Sequence, residues 1–198
     1  MKSNLYDSKT FQNLVNAFAG ECQASSRYKQ LAEEAEDKGL SELASFINTV
    51  AKNEYYHSKR IYSFISSATD KPIDGFMVES NYPFKEKPGD FLEAFKAAAF
   101  DENQEATEIY PSFARVARDE GFNDIALFFD NLIQVETCHH LAFTELYNML
   151  KSDTLYSRDP AIKWKCSLCG YETTSKTAPK KCPICGATQG KFMIEMPE

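Results

Sequence analysis

The sequence predicts a mainly α protein: a four-helix bundle with a long crossover between its second and third helices, followed by a small module held by cysteine knuckles. Three observations carry that expectation. Apolar residues recur at steps of three and four through most of residues 1–150, as amphipathic helices require. Gly39 and Gly121 stand where the first and third periodic stretches should end. Four of the six cysteines form two Cys-x-x-Cys pairs within the last 33 residues.

The first stripe runs Leu14, Phe18, Glu21, Ser25, Tyr28, Ala32, Ala35, and the second Leu43, Ile47, Val50, Glu54, His57, Ile61, Phe64. The third runs Phe91, Phe95, Ala98, Glu102, Glu105, Ile109, and the fourth Ile125, Phe129, Leu132, Glu136, His139, Phe143, Leu146, Leu150. Short loops join the first to the second and the third to the fourth. The connection over residues 68–90 holds three prolines and is too long for a hairpin, so it should cross along the bundle, which is the ferritin-like topology. The two hairpins look duplicated: Gly39 and Gly121, Glu54 and Glu136, and His57 and His139 are each 82 residues apart, whereas Glu21 and Glu102 are 81 apart. One residue is therefore gained in the third helix after Glu102. Near Pro111 it must appear as a π-bulge, a kink, or both.

The chain of 198 residues, 43% hydrophobic and 26% charged, accommodates a bundle plus a module. Residues 1–150 are read as the bundle, the polar stretch 151–160 as a linker and residues 161–198 as the cysteine domain. Six lysines against three acids give that domain a charge of +3, and the net −7 then leaves −10 on the rest. No basic stripe offers itself to a phosphate backbone, so nucleic acid is not an expected partner. No signal peptide and no run of about 18 apolar residues is found, so no membrane partner is expected and a soluble, cytoplasmic protein is.

All four stripes carry ionisable groups at their centres. A glutamate there is costly to bury unless it is neutral, paired or bound to metal. Glu54-x-x-His57 and Glu136-x-x-His139 each put a carboxylate and an imidazole about one turn apart on one face, while Glu21 and Glu102, with Glu105 a turn beyond, supply carboxylates from the other two helices. Two glutamates plus two Glu-x-x-His motifs directed into a bundle match the dinuclear carboxylate pattern already described for ferritin-like proteins, and this donor set suits iron or manganese better than zinc or copper. Tyr28 and Tyr110 fall on or beside the stripe, where their hydroxyls can bond ligand carboxylates. His140 is one position off it and reads as a surface or supporting histidine. Cys22 and Cys138 read as small buried hydrophobes.

Cys166, Cys169, Cys182 and Cys185 have the spacing of a tetrahedral tetrathiolate site for zinc or iron, and spacing alone favours a structural zinc ribbon. A glycine follows each second cysteine and allows the tight turn.

Gly20-Glu21, Glu54-x-x-His57, Glu102-x-x-Glu105 with Tyr110-Pro111, Glu136-x-x-His139 and the terminal Trp164-x-Cys166-x-x-Cys169-Gly170-Tyr171 with Cys182-Pro183-x-Cys185-Gly186 together resemble the rubrerythrin family over nearly the whole chain. The resemblance implies that the cysteines hold a mononuclear iron in a rubredoxin-like domain, reversing the preference for zinc, and that the bundle holds a pair of irons bridged by Glu54 and Glu136. Glu21 with Glu105, and Glu102 with His139, would complete the two environments, with Glu105 replaced by His57 on reduction. Glu105 and His57 are thus the expected catalytic exchange pair. The implied activity is reduction of hydrogen peroxide to water, with electrons from NADH through a separate reductase, since no Gly-rich nucleotide loop is present. A head-to-tail homodimer is expected. An iron-storage or ferroxidase protein and a non-redox zinc-ribbon protein are the competing readings. Neither needs both sites.

Overall fold

A computed structural model describes residues 4–78 and 90–194. Helices α1 (Lys9–Asp37) and α2 (Ser41–Ser66) form one hairpin. Helix α3 (Phe91–Gln104), a π-helical segment (Glu105–Ile109) and α4 (Tyr110–Asp119) form one continuous rod, which pairs with α5 (Asn123–Lys151) in the second hairpin. Of the expected crossover at 68–90, residues 79–89 lie outside the described residues.

Local chemistry explains the ends. Ser8 caps α1 by accepting the N–H of Phe11 at 3.0 Å, and Asp90 caps α3 by accepting that of Glu93 at 3.2 Å. Gly39 and Gly121 adopt φ of +75° and +86°. Each lets the following residue turn back: Leu40 N–H donates to Ala35 O at 2.9 Å and Phe122 N–H to Ala117 O at 2.8 Å, the same Schellman closure at equivalent points of both hairpins.

The inserted residue appears where the 81-residue spacing requires it. In the π-helical segment the N–H of Tyr110 bonds the carbonyl of Glu105, five residues back, and the next residue, Pro111, has no N–H to offer. The bulge rotates the buried face. Before it, Phe95, Ala98, Ala99 and Glu102 are buried; within it Ala106 is, and beyond it Tyr110, Ala114 and Ala117 are. Ile109, expected on the stripe, is instead exposed, because the periodic continuation holds only until the extra residue is inserted.

Two apolar clusters fill the bundle. One includes Tyr28, Leu43, Ile47, Phe95, Phe143 and Leu146; the other includes Leu14, Ile61, Phe64, Tyr110, Phe129 and Leu132. The polar residues of the stripes lie between them.

The cysteine module has two antiparallel strands, β1 (Ser157–Lys165) and β2 (Glu172–Thr177), with Trp164 opposite Thr173. Trp164, Cys166, Ala178, Cys182 and Phe192 form its small core. The stretch 151–160 departs from a linker: Leu155 packs in the bundle core, Tyr156 touches both cores, and β1 begins at Ser157, so the boundary expected after 160 falls inside a strand.

Glu120, at the end of α4, ties the two hairpins together. Its carboxylate accepts the N–H groups of Lys9 and Thr10 at 3.1 and 2.8 Å and the hydroxyl of Thr10 at 2.6 Å, thereby capping the start of α1. Slight burial works to raise its pKa, but these hydrogen bonds outweigh it and hold the carboxyl below its ordinary 4.5. Glu120→Ala should cost about 1 kcal/mol, the usual worth of a cap, and lower the bundle's melting temperature by about 2–4 °C. Because the folded pKa is depressed, that contribution is present above the ordinary pKa and disappears as pH falls through the folded one. Thermal melts of both proteins should therefore differ near pH 7 and converge in strong acid.

Candidate metal centres

The four stripes bring their ionisable groups to one level of the bundle. Glu21, Glu54 and Glu136 are 0% exposed, Glu102 is 1% and His139 6%. Two overlapping sets result. Glu21, Glu54, His57 and Glu136 offer ligand atoms within 4.8 Å of one another, as do Glu54, Glu102, Glu136 and His139. Glu54 and Glu136 belong to both.

Both imidazoles direct Nδ1 inward. His57 Nδ1 lies 3.3 Å from Glu21 Oε2, 3.1 Å from Glu54 Oε2 and 3.3 Å from Glu136 Oε1. His139 Nδ1 lies 2.9 Å from Glu54 Oε1, 3.5 Å from Glu102 Oε2 and 2.9 Å from Glu136 Oε2. Donor atoms bound to one ion at about 2.1 Å stand about 3 Å apart, so these separations are those of converging ligands. Glu54 Oε1, Glu102 Oε2 and Glu136 Oε1 are buried and accept no well-formed hydrogen bond even with imidazole nitrogens nearby. Orphaned carboxylate oxygens of this kind are expensive in an apolar core, and cations satisfy them. The residues fit a pair of ions.

Electrostatics agrees. Burial, reinforced by Glu54 and Glu136 against the pull of His57, raises Glu21 well above the usual carboxylate range. Glu105 is raised well above it too, by burial first and then by Glu21 and Glu102. Burial opposes ionisation of Glu54, but the imidazoles of His139 and His57 prevail and bring it down to about 2, while Glu136 is pushed by burial up to about 8. Burial would lower His57, yet Glu21 and Glu54 carry it up to about 10, and His139 is raised by Glu102, Glu136 and Glu54. The carboxylates cannot all ionise together without positive charge among them.

Glu105 is the one expected ligand outside both sets. It begins the π-helical segment, and its Oε1 lies beside Gly20, 3.8 Å from where a Cβ there would stand. Tyr28 donates to Glu102 Oε1, and Tyr110 donates to Glu21 Oε1 at 2.5 Å, as their places on the stripes suggest. His140 is part-buried and its Nδ1 bonds Ala99 O at 2.7 Å, away from the cluster. Cys22 and Cys138 are exposed, correcting the expectation that they pack inside: each follows an inward position by one or two residues on its helix and so points outward. Sequence reading missed two supports, because nothing in the local pattern distinguishes them. Asn53 Nδ2 approaches His139 Nε2 at 3.4 Å, and Arg27 pairs with Asp101 at 2.7 Å across α1 and α3, next to the Tyr28–Glu102 bond.

In the module, Cys166 Sγ and Cys185 Sγ are 3.8 Å apart, Cys169 Sγ and Cys182 Sγ 3.5 Å, and all four lie within 4.8 Å. Sulfurs about 2.3 Å from one tetrahedral ion would be spaced by just under 4 Å. Gly170 and Gly186, at φ +77° and +73°, close the two knuckles, each donating its N–H at 2.9 Å to the carbonyl of the first cysteine. Cys166 and Cys182 are buried, Cys169 and Cys185 exposed.

The family description Rubrerythrin matches residues 12–147, and the description Rubrerythrin, rubredoxin-like domain matches residues 164–193. The chain belongs to the rubrerythrin family. It is 39% identical to rubrerythrin-1 of Clostridium acetobutylicum and 37% identical to the rubrerythrin of Clostridium perfringens, in each case over 98% of this chain and 97% of the relative. Among solved structures it is similar to nigerythrin in a partially reduced state, at 26% identity and a TM-score of 0.58 over 98% of this chain and 94% of that one. A bacterioferritin of Desulfovibrio desulfuricans shares the fold, at 21% identity and a TM-score of 0.61 over 74% and 82% of the two chains. The rubrerythrin family thus settles what spacing leaves open: the bundle is that of a dinuclear iron site, and the cysteines are those of a mononuclear, rubredoxin-like iron site.

Tyr110→Phe deletes one hydrogen bond to Glu21 and leaves the ring's stacking on Phe129 intact. It should leave the bundle folded and weaken iron binding at the dinuclear site by about 10–100-fold, as loss of a ligand-orienting partner commonly does. Competitive metal titration of the parent and the variant measures this.

Proposed function

We propose that the chain reduces hydrogen peroxide to water at the carboxylate–imidazole site, with electrons relayed from the cysteine site, which receives them from NADH through a separate reductase. The observation that carries this reading is the presence, in one chain, of a buried two-ion site and a tetrathiolate site with two exposed cysteines. Iron storage would use the first and has no need of the second. When bound, iron supplies the two electrons that convert H₂O₂ and two protons to two waters.

We assign Glu54 and Glu136 to both ions, Glu21 to the first, and Glu102 with His139 to the second. His57 and Glu105 would alternate in holding the first ion, the imidazole serving the reduced site and the carboxylate the oxidised one. In support, His57 Nδ1 stands among Glu21, Glu54 and Glu136, while Glu105 lies outside that set, against the same helix as Glu21. Replacing a neutral imidazole by an anion offsets a rise in metal charge where little water is available to do so. Tyr28 and Tyr110 hold Glu102 and Glu21 in fixed orientations during that exchange. The apolar clusters on either side keep bulk water from the site.

The sequence has no Gly-x-Gly-x-x-Gly pattern, so hydride from NADH is taken by another protein, in the cytoplasm. No helix among the described residues is long and apolar enough to cross a membrane. On its own chain the module meets α1 at Glu36, where Lys191 Nζ lies 3.8 Å from Oε1. Glu36 is about 22 Å along the helix from Glu21 at 1.5 Å per residue. We therefore place the electron acceptor in a second copy, as a head-to-tail homodimer. The opposite charges of bundle and module orient that pairing, screened over about 10 Å at 0.1 M salt.

Cys166→Ser should abolish the tetrathiolate colour and NADH-linked peroxide consumption, while the dinuclear site, reduced chemically, still consumes about one equivalent of peroxide. Stopped-flow absorbance and a peroxide electrode read both, and loss of the dinuclear site as well would contradict separate modules. His139→Ala should abolish turnover at the bundle alone. Mixed dimers of Cys166→Ser and His139→Ala chains should regain NADH-linked activity after subunit exchange, since each contributes the site the other lacks. Verified mixed dimers without activity would exclude transfer between chains.

A further inference from the structure

Gly190 lies in the short 3-10 turn Gln189–Lys191 of the cysteine module and is buried. Its φ is not in the left-handed region, so its backbone conformation does not call for glycine. Space does. A Cβ on Gly190 would stand 1.7 Å from the carbonyl oxygen of Gly39, 2.8 Å from its carbon and 3.3 Å from the Cα of Leu40. All three are backbone atoms of the turn between α1 and α2. That turn is closed by the Leu40-to-Ala35 and Gly39-to-Glu36 hydrogen bonds, so it cannot yield as a flexible side chain would.

Elsewhere the seam between module and bundle is made by the partly buried Tyr156 and Ile194, packed on the bundle core, and by an ion pair. The Lys191–Glu36 pair is long, and its two side chains are well exposed, so it holds little. Alongside it a cavity of about 190 Å³ opens between Glu42, Phe46 and Thr49 of α2, Leu146 of α5, and Met193 and Ile194. The tight point at Gly190 is tied to the sulfurs by backbone. Ser167 N–H donates to Lys191 O at 2.8 Å, and Cys166 is bridged to Phe192, so the first knuckle is bonded to the two residues that follow Gly190.

We propose that Gly190 is a positioning residue: its backbone, seated on the carbonyl of Gly39, latches the cysteine module to the α1–α2 turn and so sets where the four sulfurs stand for electron transfer. The transfer half of this statement rests on the proposed function; the latch does not. Any side chain at Gly190 lifts the module from the turn and displaces the cysteine site relative to both bundles of a dimer.

The test uses full-length, iron-loaded protein in three forms: parent, Gly190→Ala, and Lys191→Glu, which sets two negative charges face to face at the same seam. One readout is limited proteolysis between residues 151 and 157. The other is the rate at which the visible absorption of the tetrathiolate iron returns when peroxide is added to reduced protein. Gly190→Ala should keep its tetrathiolate spectrum and iron content, be cleaved several-fold faster, and show transfer slowed about tenfold or more, since ångström misplacements have effects of that size. Lys191→Glu should shift both readouts the same way by less. Unchanged cleavage together with unchanged transfer in Gly190→Ala would overturn the latch. If Gly190→Ala fails to assemble its tetrathiolate site, Lys191→Glu decides: faster cleavage supports the latch, and unchanged cleavage overturns it. If the parent itself shows no peroxide-driven oxidation of the tetrathiolate iron, the functional reading fails, while faster cleavage of Gly190→Ala still establishes the latch.

Discussion

The structure depends on one constraint: five carboxylates and two imidazoles must share an interior that is otherwise apolar. Buried glutamates repel one another and lose hydration, which raises the pKa of Glu21, Glu105 and Glu136 above the usual carboxylate range. Cations remove that cost, so the dinuclear iron is the counter-charge that makes this interior tolerable. The tyrosines, Asn53 and the Arg27–Asp101 pair follow from the same constraint, because Glu102, Glu21 and His139 converge on the cluster only if each is held in one orientation.

Four helices can meet that constraint because two similar hairpins face each other. Each supplies one Glu-x-x-His pair and one carboxylate from its other helix, and each ends its first rod on a left-handed glycine. The symmetry breaks at one place. The residue gained after Glu102 winds Glu105–Ile109 as a π-helix, and this turns Tyr110 inward and Ile109 outward. Glu105 has no counterpart in the first hairpin, where Gln23 and Ala24 stand at the equivalent positions, so the second hairpin carries one carboxylate more than the first.

The module obeys different physics. Its core of Trp164, Cys166, Ala178, Cys182 and Phe192 is small for an independent unit, and the metal knuckles supply the cross-linking that a larger core would otherwise provide. Tyr156 belongs to both cores, and Gly190 is pressed on the α1–α2 turn, so the module is a seated part of the molecule and not a pendant one.

Much of this was legible without coordinates. Four stripes, two capping glycines, the repeat with its single extra residue, the six groups that converge inside the bundle and the four clustered cysteines are all legible in periodicity and spacing, because helix geometry is local and puts residues three and four apart on one face. The inward hydroxyls of Tyr28 and Tyr110 were legible for the same reason. What the tertiary structure alone decided lies between elements: that Glu105 rests against Gly20 while His57 occupies the cluster, that Asn53 and Arg27 support it, that Cys22 and Cys138 face outward, and that Gly190 meets Gly39. Single-helix periodicity marks which face is buried, but not which of two neighbouring groups occupies a shared position. Nor can it reveal a contact between backbones 151 residues apart in the chain, since that depends on how two folded units are seated together.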